Sequence, residues 1–307
     1  MDRNDTSSPV LQGSDGSPRI SWPNDELFLH SGFPSPKLYA AVCKRGLSVV
    51  RPLLTPNATD SYGWNCGTAQ APSYWAYGRL RALLALGESL ALRPKRVLEV
   101  AAGDAALCAC LQQTGCDVTA NDLRQENLAQ SVANFRNHSQ IRILPGNVFD
   151  LDPADTGSFD LVIACEIIEH VAHAVEFLSQ LRRFLTPDGH ILLTTPNGAY
   201  FRNKLQTYSQ VEDFTVLERE QFKPDADGHL FLITPAEMRQ IALQAGMDVH
   251  RLLVWGTPFI SGESGFRIFS KILPTQLCYS LERFSQRLSN PILHRFGNSL
   301  SVLLTPR

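Results

Sequence analysis

No Cys-x-x-Cys pair, no long apolar run and no Gly-x-Gly-x-x-Gly turn occurs anywhere in the 307 residues. Each absence removes a class of protein. The seven cysteines are scattered at Cys43, Cys66, Cys108, Cys110, Cys116, Cys165 and Cys278. An odd number without ligand spacing argues against a disulfide scaffold or a zinc framework, and the expectation is reduced thiols in a cytoplasmic protein. With nothing near the roughly 18 consecutive apolar residues of a membrane span, no transmembrane helix is expected. The opening segment "MDRNDTSSPVLQGSDGSP" is polar and has no apolar stretch of the kind a secretory signal carries. Charge of one sign is also lacking. Twenty-eight basic residues against thirty acidic ones leave a net charge of −2, which offers no global field for a phosphate backbone and counts against a nucleic-acid partner.

What is present is an ordinary soluble composition, 44% hydrophobic and 19% charged, with the length for one large domain or two small ones. Residues 1–24 are rich in Ser, Asp, Gly and Pro and are expected to be a disordered tail. Residues 25–90 mix Pro-rich turns with the aromatic residues Tyr62, Trp64, Tyr74, Trp75 and Tyr77, then run into "RLRALLALGESLAL" at helical spacing, which predicts a helical cap or lid. From 91 to 256 the chain alternates. "RVLEVA", "DVTAND", "IRILPGN", "FDLVIAC" and "HILLTTPN" read as strands, separated by helical stretches that include one long helix over "EIIEHVAHAVEFLSQLRRFL". That alternation predicts a doubly wound α/β fold, a Rossmann-like parallel sheet covered on both faces, with ligands at the carboxyl ends of the strands. "TPAEMRQIALQAGM" follows as a helix capped by Thr234, and "DVHRLLVWG" and "SLSVLLT" bring the strands to seven. Between those two strands, residues 257–296 form an insertion with a helical apolar stripe of Leu277, Leu281, Phe284 and Leu288. Residues 297–307 supply the last core strand.

The turn "VLEVAAGDAAL" resembles motif I of class I S-adenosylmethionine-dependent methyltransferases, an acid followed by Gly-x-Gly-x-Gly. Glu99 stands for the acid, and Ala101, Gly103 and Ala105 occupy the three small positions. The turn needs little side-chain bulk so that the cofactor can approach the backbone, and alanines there are expected to lose access to positive φ. The resemblance continues in family order. It implies that Asp122 accepts the ribose hydroxyls, that Asn147 and Val148 lie beside the adenine, and that Cys165, ending "FDLVIAC", joins the cofactor-binding set. "LRRFLTPDGHILLTTPN" and "GHLFLITPAEMRQIALQAGM" resemble the family's later segments, so the likeness covers about residues 95–255. The rival dinucleotide fingerprint lacks its glycine spacing here.

Immediately after Cys165 the chain releases Glu166, Glu169, His170 and His173, which at helical spacing fall on one face of a first turn. Glu-x-x-Glu-His is similar to two branches of the superfamily. These are the ubiquinone-pathway O-methyltransferases and the small-RNA 3′-terminal 2′-O-methyltransferases, and in the latter these residues hold a divalent metal with a later histidine. His229 matches that later histidine in position. Three readings stay open. Glu166, Glu169, His170 and His229 bind Mg2+ or another divalent ion; or His170, aided by Glu169, is a metal-free general base; or the acids cap a helix favoured by the macrodipole. Glu166 is also placed to touch the methionine end of the cofactor.

The expected activity is therefore O-methylation of a small or lipid-linked hydroxylated acceptor. Alternatives are an RNA 3′-terminal 2′-O-methyltransferase and, because of Ala101 and Ala105, a non-catalytic cofactor-fold protein. Tyr200, Phe201, Arg202 and Asn203 follow the fifth strand and are candidates to line the acceptor pocket. The stripe of the insertion, with Arg267, Lys271, Arg283, Arg287 and Arg295, fits either packing against the protein itself or peripheral contact with a membrane surface through residues 267–295.

Overall fold

The structure is a computed structural model. It describes two short antiparallel strands at 10–12 and 18–20, and residues 72–307 except 104, 127, 129–139, 222–227, 259–272 and 274. Seven strands form the main sheet: β1 Arg96–Val100, β2 Asp117–Asp122, β3 Arg142–Pro145, β4 Phe159–Cys165, β5 Leu185–Pro196, β6 Met247–Trp255 and β7 Ser299–Pro306. Their order is β3-β2-β1-β4-β5-β7-β6, and only the pairs made by β7 are antiparallel. The expected doubly wound sheet is thus observed. Its order reverses beside β1, which makes the gap above β1 and β4 the switch point where such sheets bind ligands.

Alternation along the strands divides the core. Val97, Leu161, Ile163 and Leu192 face one layer, where helix α1 (Pro72–Leu92) and helix α2 (Ala106–Gln112) pack. Leu98, Val162, Ile191 and Leu193 face the other, against helix α3 (Ala174–Arg183) and helix α5 (Pro235–Gln244), which follows helix α4 (Phe214–Gln221) in the chain. Both faces of every central strand are buried, so these strands read as continuous apolar runs. The N-terminal turn of α5 carries the expected cap. Thr234 Oγ1 accepts from Glu237 N at 3.2 Å and Glu237 Oε2 accepts from Thr234 N at 2.7 Å. No described helix is long and apolar enough to cross a membrane.

One expectation is corrected here. The long helix predicted from Glu166 does not form as one piece. Glu166 takes a left-handed φ of 52° and its N–H bonds Thr194 O, so the chain leaves β4 in a bend, makes a single 3-10 turn at Ile168–His170 and starts α3 only at Ala174. The apolar spacing runs on through the break, which is why the sequence does not reveal it.

The described helices of the insertion are α6 (Thr275–Ser285) and α7 (Asn290–Phe296). Of the predicted stripe, Leu277 and Phe284 face outward at 43% and 58% exposure, while Glu282 is fully buried. Its two carboxylate oxygens accept from Gly256 N and Thr257 N, both at 2.8 Å, just past the end of β6. Two backbone donors beyond the sheet need acceptors, and this demand turns the helix charge-inward. Arg267, Lys271, Tyr62 and Trp64, and the side chains of Tyr74, Trp75 and Tyr77, lie outside what the structure describes.

Candidate active site

The turn after β1 keeps the left-handed geometry that its alanines were expected to lose. Ala101, Gly103 and Ala105 have φ of 55°, 53° and 51°. The turn is tied on both sides. Ala102 N bonds Asn121 O at 2.9 Å, Ala105 N bonds Ala102 O at 2.8 Å, and Gly103 N donates to Asp122 Oδ2 at 3.0 Å. The buried Glu99 accepts from Cys108 N at 3.2 Å, a carboxylate at the N-terminus of α2 where the helix dipole favours it. Asp122 Oδ1 accepts from Arg124 N at 2.9 Å. Asn121, which the sequence reading missed, donates to Leu144 O and Gly146 O at 2.8 and 2.9 Å and so sets the loop that presents Asn147. Asn147 Oδ1 caps that loop by accepting from Phe149 N at 3.1 Å.

Above these strand ends lies a cavity of about 810 Å³. Ala101, Asp122, Asn147 and Val148 line it together with Phe149 and Phe177, while Glu99, Gly103 and Cys165 are not among its lining residues. Cys165 is buried at the end of β4, and burial pushes its thiol well up from its ordinary value. The four described cysteines are free thiols, three of them buried.

Glu169, His170 and His229 come together beyond β4, each offering one ligand atom within 4.8 Å of the others. His170 Nδ1 lies 3.1 Å from Gly228 O, and since a carbonyl only accepts, Nδ1 carries the proton. His170 Nε2 is 4.0 Å from Glu169 Oε1, and the His170 and His229 rings stand edge to face at 5.0 Å. Glu169 is fully buried. Its Oε2 accepts from Thr195 Oγ1 at 2.9 Å, and its Oε1 has no hydrogen-bond partner among the described residues. Burial first, then the charge of Glu166, raises its carboxyl well above the usual range. Burial, with His170 adding to it, lowers His229.

Two members of the predicted face are elsewhere. Glu166 Oε2 is 3.1 Å from Arg81 Nη1 of α1, so Glu166 is apart from the three-residue cluster. His173 Nε2 is 2.6 Å from Glu218 Oε1 in α4. The bend at Glu166 causes both, because the residues no longer share a helix face. Arg81 and Thr195 were not found from sequence. Arg81 opens the apolar run "ALLAL" of α1, where a guanidinium is itself a signal, whereas the threonine pair of "LLTTPN" gives none. Of the four residues after β5, Tyr200 is buried and Phe201 stacks on Phe296 of α7 at 5.4 Å, so the segment meets the insertion.

Residues 69–252 match the family model described as a methyltransferase domain. Among curated proteins, the chain is similar to the ubiquinone biosynthesis O-methyltransferases of Psychrobacter arcticus and of Neisseria meningitidis serogroup C. It is 30% identical to each, over 51% and 52% of its own length and 60% and 66% of theirs. With the relative of the same name from Bradyrhizobium diazoefficiens it shares 32% identity over 33% of its own length and 40% of that protein's. The chain thus spans less than two thirds of the length of each of these relatives. Among solved structures, magnesium protoporphyrin IX methyltransferase from Synechocystis aligns with 85% of this chain and 94% of its own, at 14% identity and a TM-score of 0.49.

Proposed function

Because the chain belongs to the methyltransferase domain family, we propose that it transfers the methyl group of S-adenosylmethionine to a hydroxyl of a small or lipid-linked acceptor. The observation that carries this reading is the convergence of Glu169, His170 and His229 at the strand ends, next to a cavity lined by Ala101, Asp122, Asn147 and Val148. The names of the relatives, ubiquinone biosynthesis O-methyltransferases, support oxygen as the acceptor atom.

The cavity suits an adenosine. Asp122 lines it with a carboxylate, whose two acceptor oxygens match a vicinal diol, and Val148, Phe149 and Phe177 give an apolar surface for the base. At the neighbouring end of β4, Arg81 and Glu166 present opposite charges, which complement the carboxylate and ammonium of an amino-acid tail. S-adenosylmethionine, when bound, supplies a methyl group on a positively charged sulfur.

His170 handles the proton. With Nδ1–H directed at Gly228 O, Nε2 is the ring nitrogen that takes the proton of an acceptor hydroxyl. Glu169 stands 4.0 Å away and offsets the charge that forms on the imidazole. The same cluster also fits a divalent cation. One buried carboxylate oxygen without a hydrogen-bond partner and two imidazoles form a donor set for such an ion. Glu169, His170 and His229 would hold it, and its chemistry would be to acidify an acceptor hydroxyl. Glu166 is left out of that set because Arg81 holds it.

A lipid-linked acceptor is supported by the outer face of the insertion. Phe284, Ile292 and Phe296 are each more than 40% exposed, and Arg283, Arg287 and Arg295 are exposed beside them, a mixture that favours an anionic lipid surface. The test is an assay of S-adenosylhomocysteine release with a water-soluble catechol, a polyprenyl phenol in vesicles and a 3′-terminal RNA. Transfer to either phenol, lost in His170→Ala, is expected. Transfer to the RNA alone would replace this reading with an RNA 2′-O-methyltransferase.

A further inference from the structure

We propose that helix α4 forms the outer wall of the cofactor cavity and that His173 is the positioning residue that holds it in place. The inference rests on that cavity being the S-adenosylmethionine site. The inner wall comes from the ends of β1 and β2 and from Asn147–Phe149, all fixed by the sheet. The outer wall has a different origin. Glu218, Arg219 and Gln221 of α4 line it, and α4 belongs to the connection between β5 and α5, outside the strand–helix alternation.

Leu217 is the one buried residue of this helix, and Phe214 packs partly buried against the same core and against Tyr208. Polar links to the short stretch 172–173 hold its cavity-lining end. Glu218 Oε1 lies 2.6 Å from His173 Nε2, and Gln221 Oε1 accepts from Ala172 N at 2.6 Å. The His173 ring also stacks on Phe214, with centroids 5.9 Å apart and planes 29° from parallel, and its Nδ1 is 4.0 Å from Glu176 Oε2. The imidazole and the amide tie the cavity-lining end of the helix, and without them that end can lift and open the cavity on its outer side. The stretch that holds it directly follows the turn bearing Glu169 and His170. The wall is therefore tied to the catalytic turn, and the rate at which spent cofactor leaves is set by His173 and Gln221.

The experiment is S-adenosylhomocysteine binding to the full chain, by calorimetry for affinity and by stopped-flow for dissociation. His173→Ala, Glu218→Gln and Gln221→Ala are each expected to weaken affinity about three- to tenfold, almost wholly through faster release. His173→Ala combined with Glu218→Gln should be no worse than the poorer single variant, as one shared contact requires. His173→Gln, which keeps a donor at the Nε2 position, should restore most of the affinity, which a merely structural loss would not allow. Wild-type affinity and release in both His173→Ala and Gln221→Ala would overturn the proposal. The underlying assignment fails separately, if the wild type does not bind S-adenosylhomocysteine or if Asp122→Ala binds it as tightly as the wild type.

Discussion

Arg81 on α1 meets Glu166 at the end of β4, with Nη1 3.1 Å from Oε2 and the two side chains only 12% and 20% exposed. Glu166 holds a left-handed backbone as it makes the contact. Such strain in a non-glycine residue persists where surrounding structure fixes it, commonly at functional sites.

Removing the guanidinium leaves Glu166 and the buried Glu169 facing each other without a cation. Arg81→Leu is expected to lower stability by about 3 kcal/mol, as a broken buried pair does. It should also weaken S-adenosylhomocysteine binding at least tenfold. Adding Glu166→Leu should restore much of the stability but not the affinity. Denaturant unfolding and calorimetry read the two effects, and unchanged affinity in both variants would end the role of this pair at the cofactor's tail.

Chelation separates the two readings of the cluster. With a metal at Glu169, His170 and His229, EDTA abolishes methyl transfer, added Mg2+ or Mn2+ restores it, and Glu169→Ala and His229→Ala each lose the metal-dependent rate. Binding of Mn2+ followed by electron paramagnetic resonance gives the same answer without an assay. Full activity after chelation, with loss only in His170→Ala, leaves His170 working alone.

The cofactor turn carries strain that glycine would relieve. An L-residue in the left-handed region costs about 1–2 kcal/mol, and Ala101 is only partly buried, so little packing is lost on removing its methyl. Ala101→Gly should raise stability by about 1 kcal/mol by denaturant titration, and Ala101→Val should lower it by more than that. Ala105→Gly gains less, because its methyl is fully buried. A drop in stability for Ala101→Gly would contradict the left-handed turn.

Glu282 gives a pH signature. Burial raises its carboxyl above the ordinary value, against the opposing pull of the Thr257 and Gly256 N–H groups. Between the ordinary and the raised value, the folded chain keeps a proton that the unfolded chain has released. Stability from this group is therefore complete below the ordinary carboxylate pKa and falls as pH rises through the raised one. Glu282→Gln removes that slope, so the melting-temperature advantage of the wild type should shrink from about pH 4 to about pH 8. A difference constant with pH would reject it.

The sheet was legible because the buried strands are short β-branched runs punctuated by amphipathic helices, and parallel sheets leave that trace on both faces. The cavity residues were legible through motif order, with Asp122, Asn147 and Val148 on its wall. What escaped were features set by hydrogen bonding across long separations. The bend at Glu166 answers to Thr194, the inward turn of Glu282 to Gly256 and Thr257, and the burial of Arg81 to Glu166. Periodicity records which side of a helix is apolar. It carries no record of a distant backbone donor that needs an acceptor.

The placement of β7 between β5 and β6 has a consequence for synthesis. As the chain emerges from the ribosome, β6 reaches the open some 40 residues before its only neighbour does. During that interval, the exposed edges of β5 and β6 are held apart by nothing but the helices already packed, and each can accept a foreign strand. Ser299–Pro306 closes both edges at once. Growth conditions that slow translation across 257–298 should therefore favour aggregation over a native yield, while the finished protein remains as stable as before.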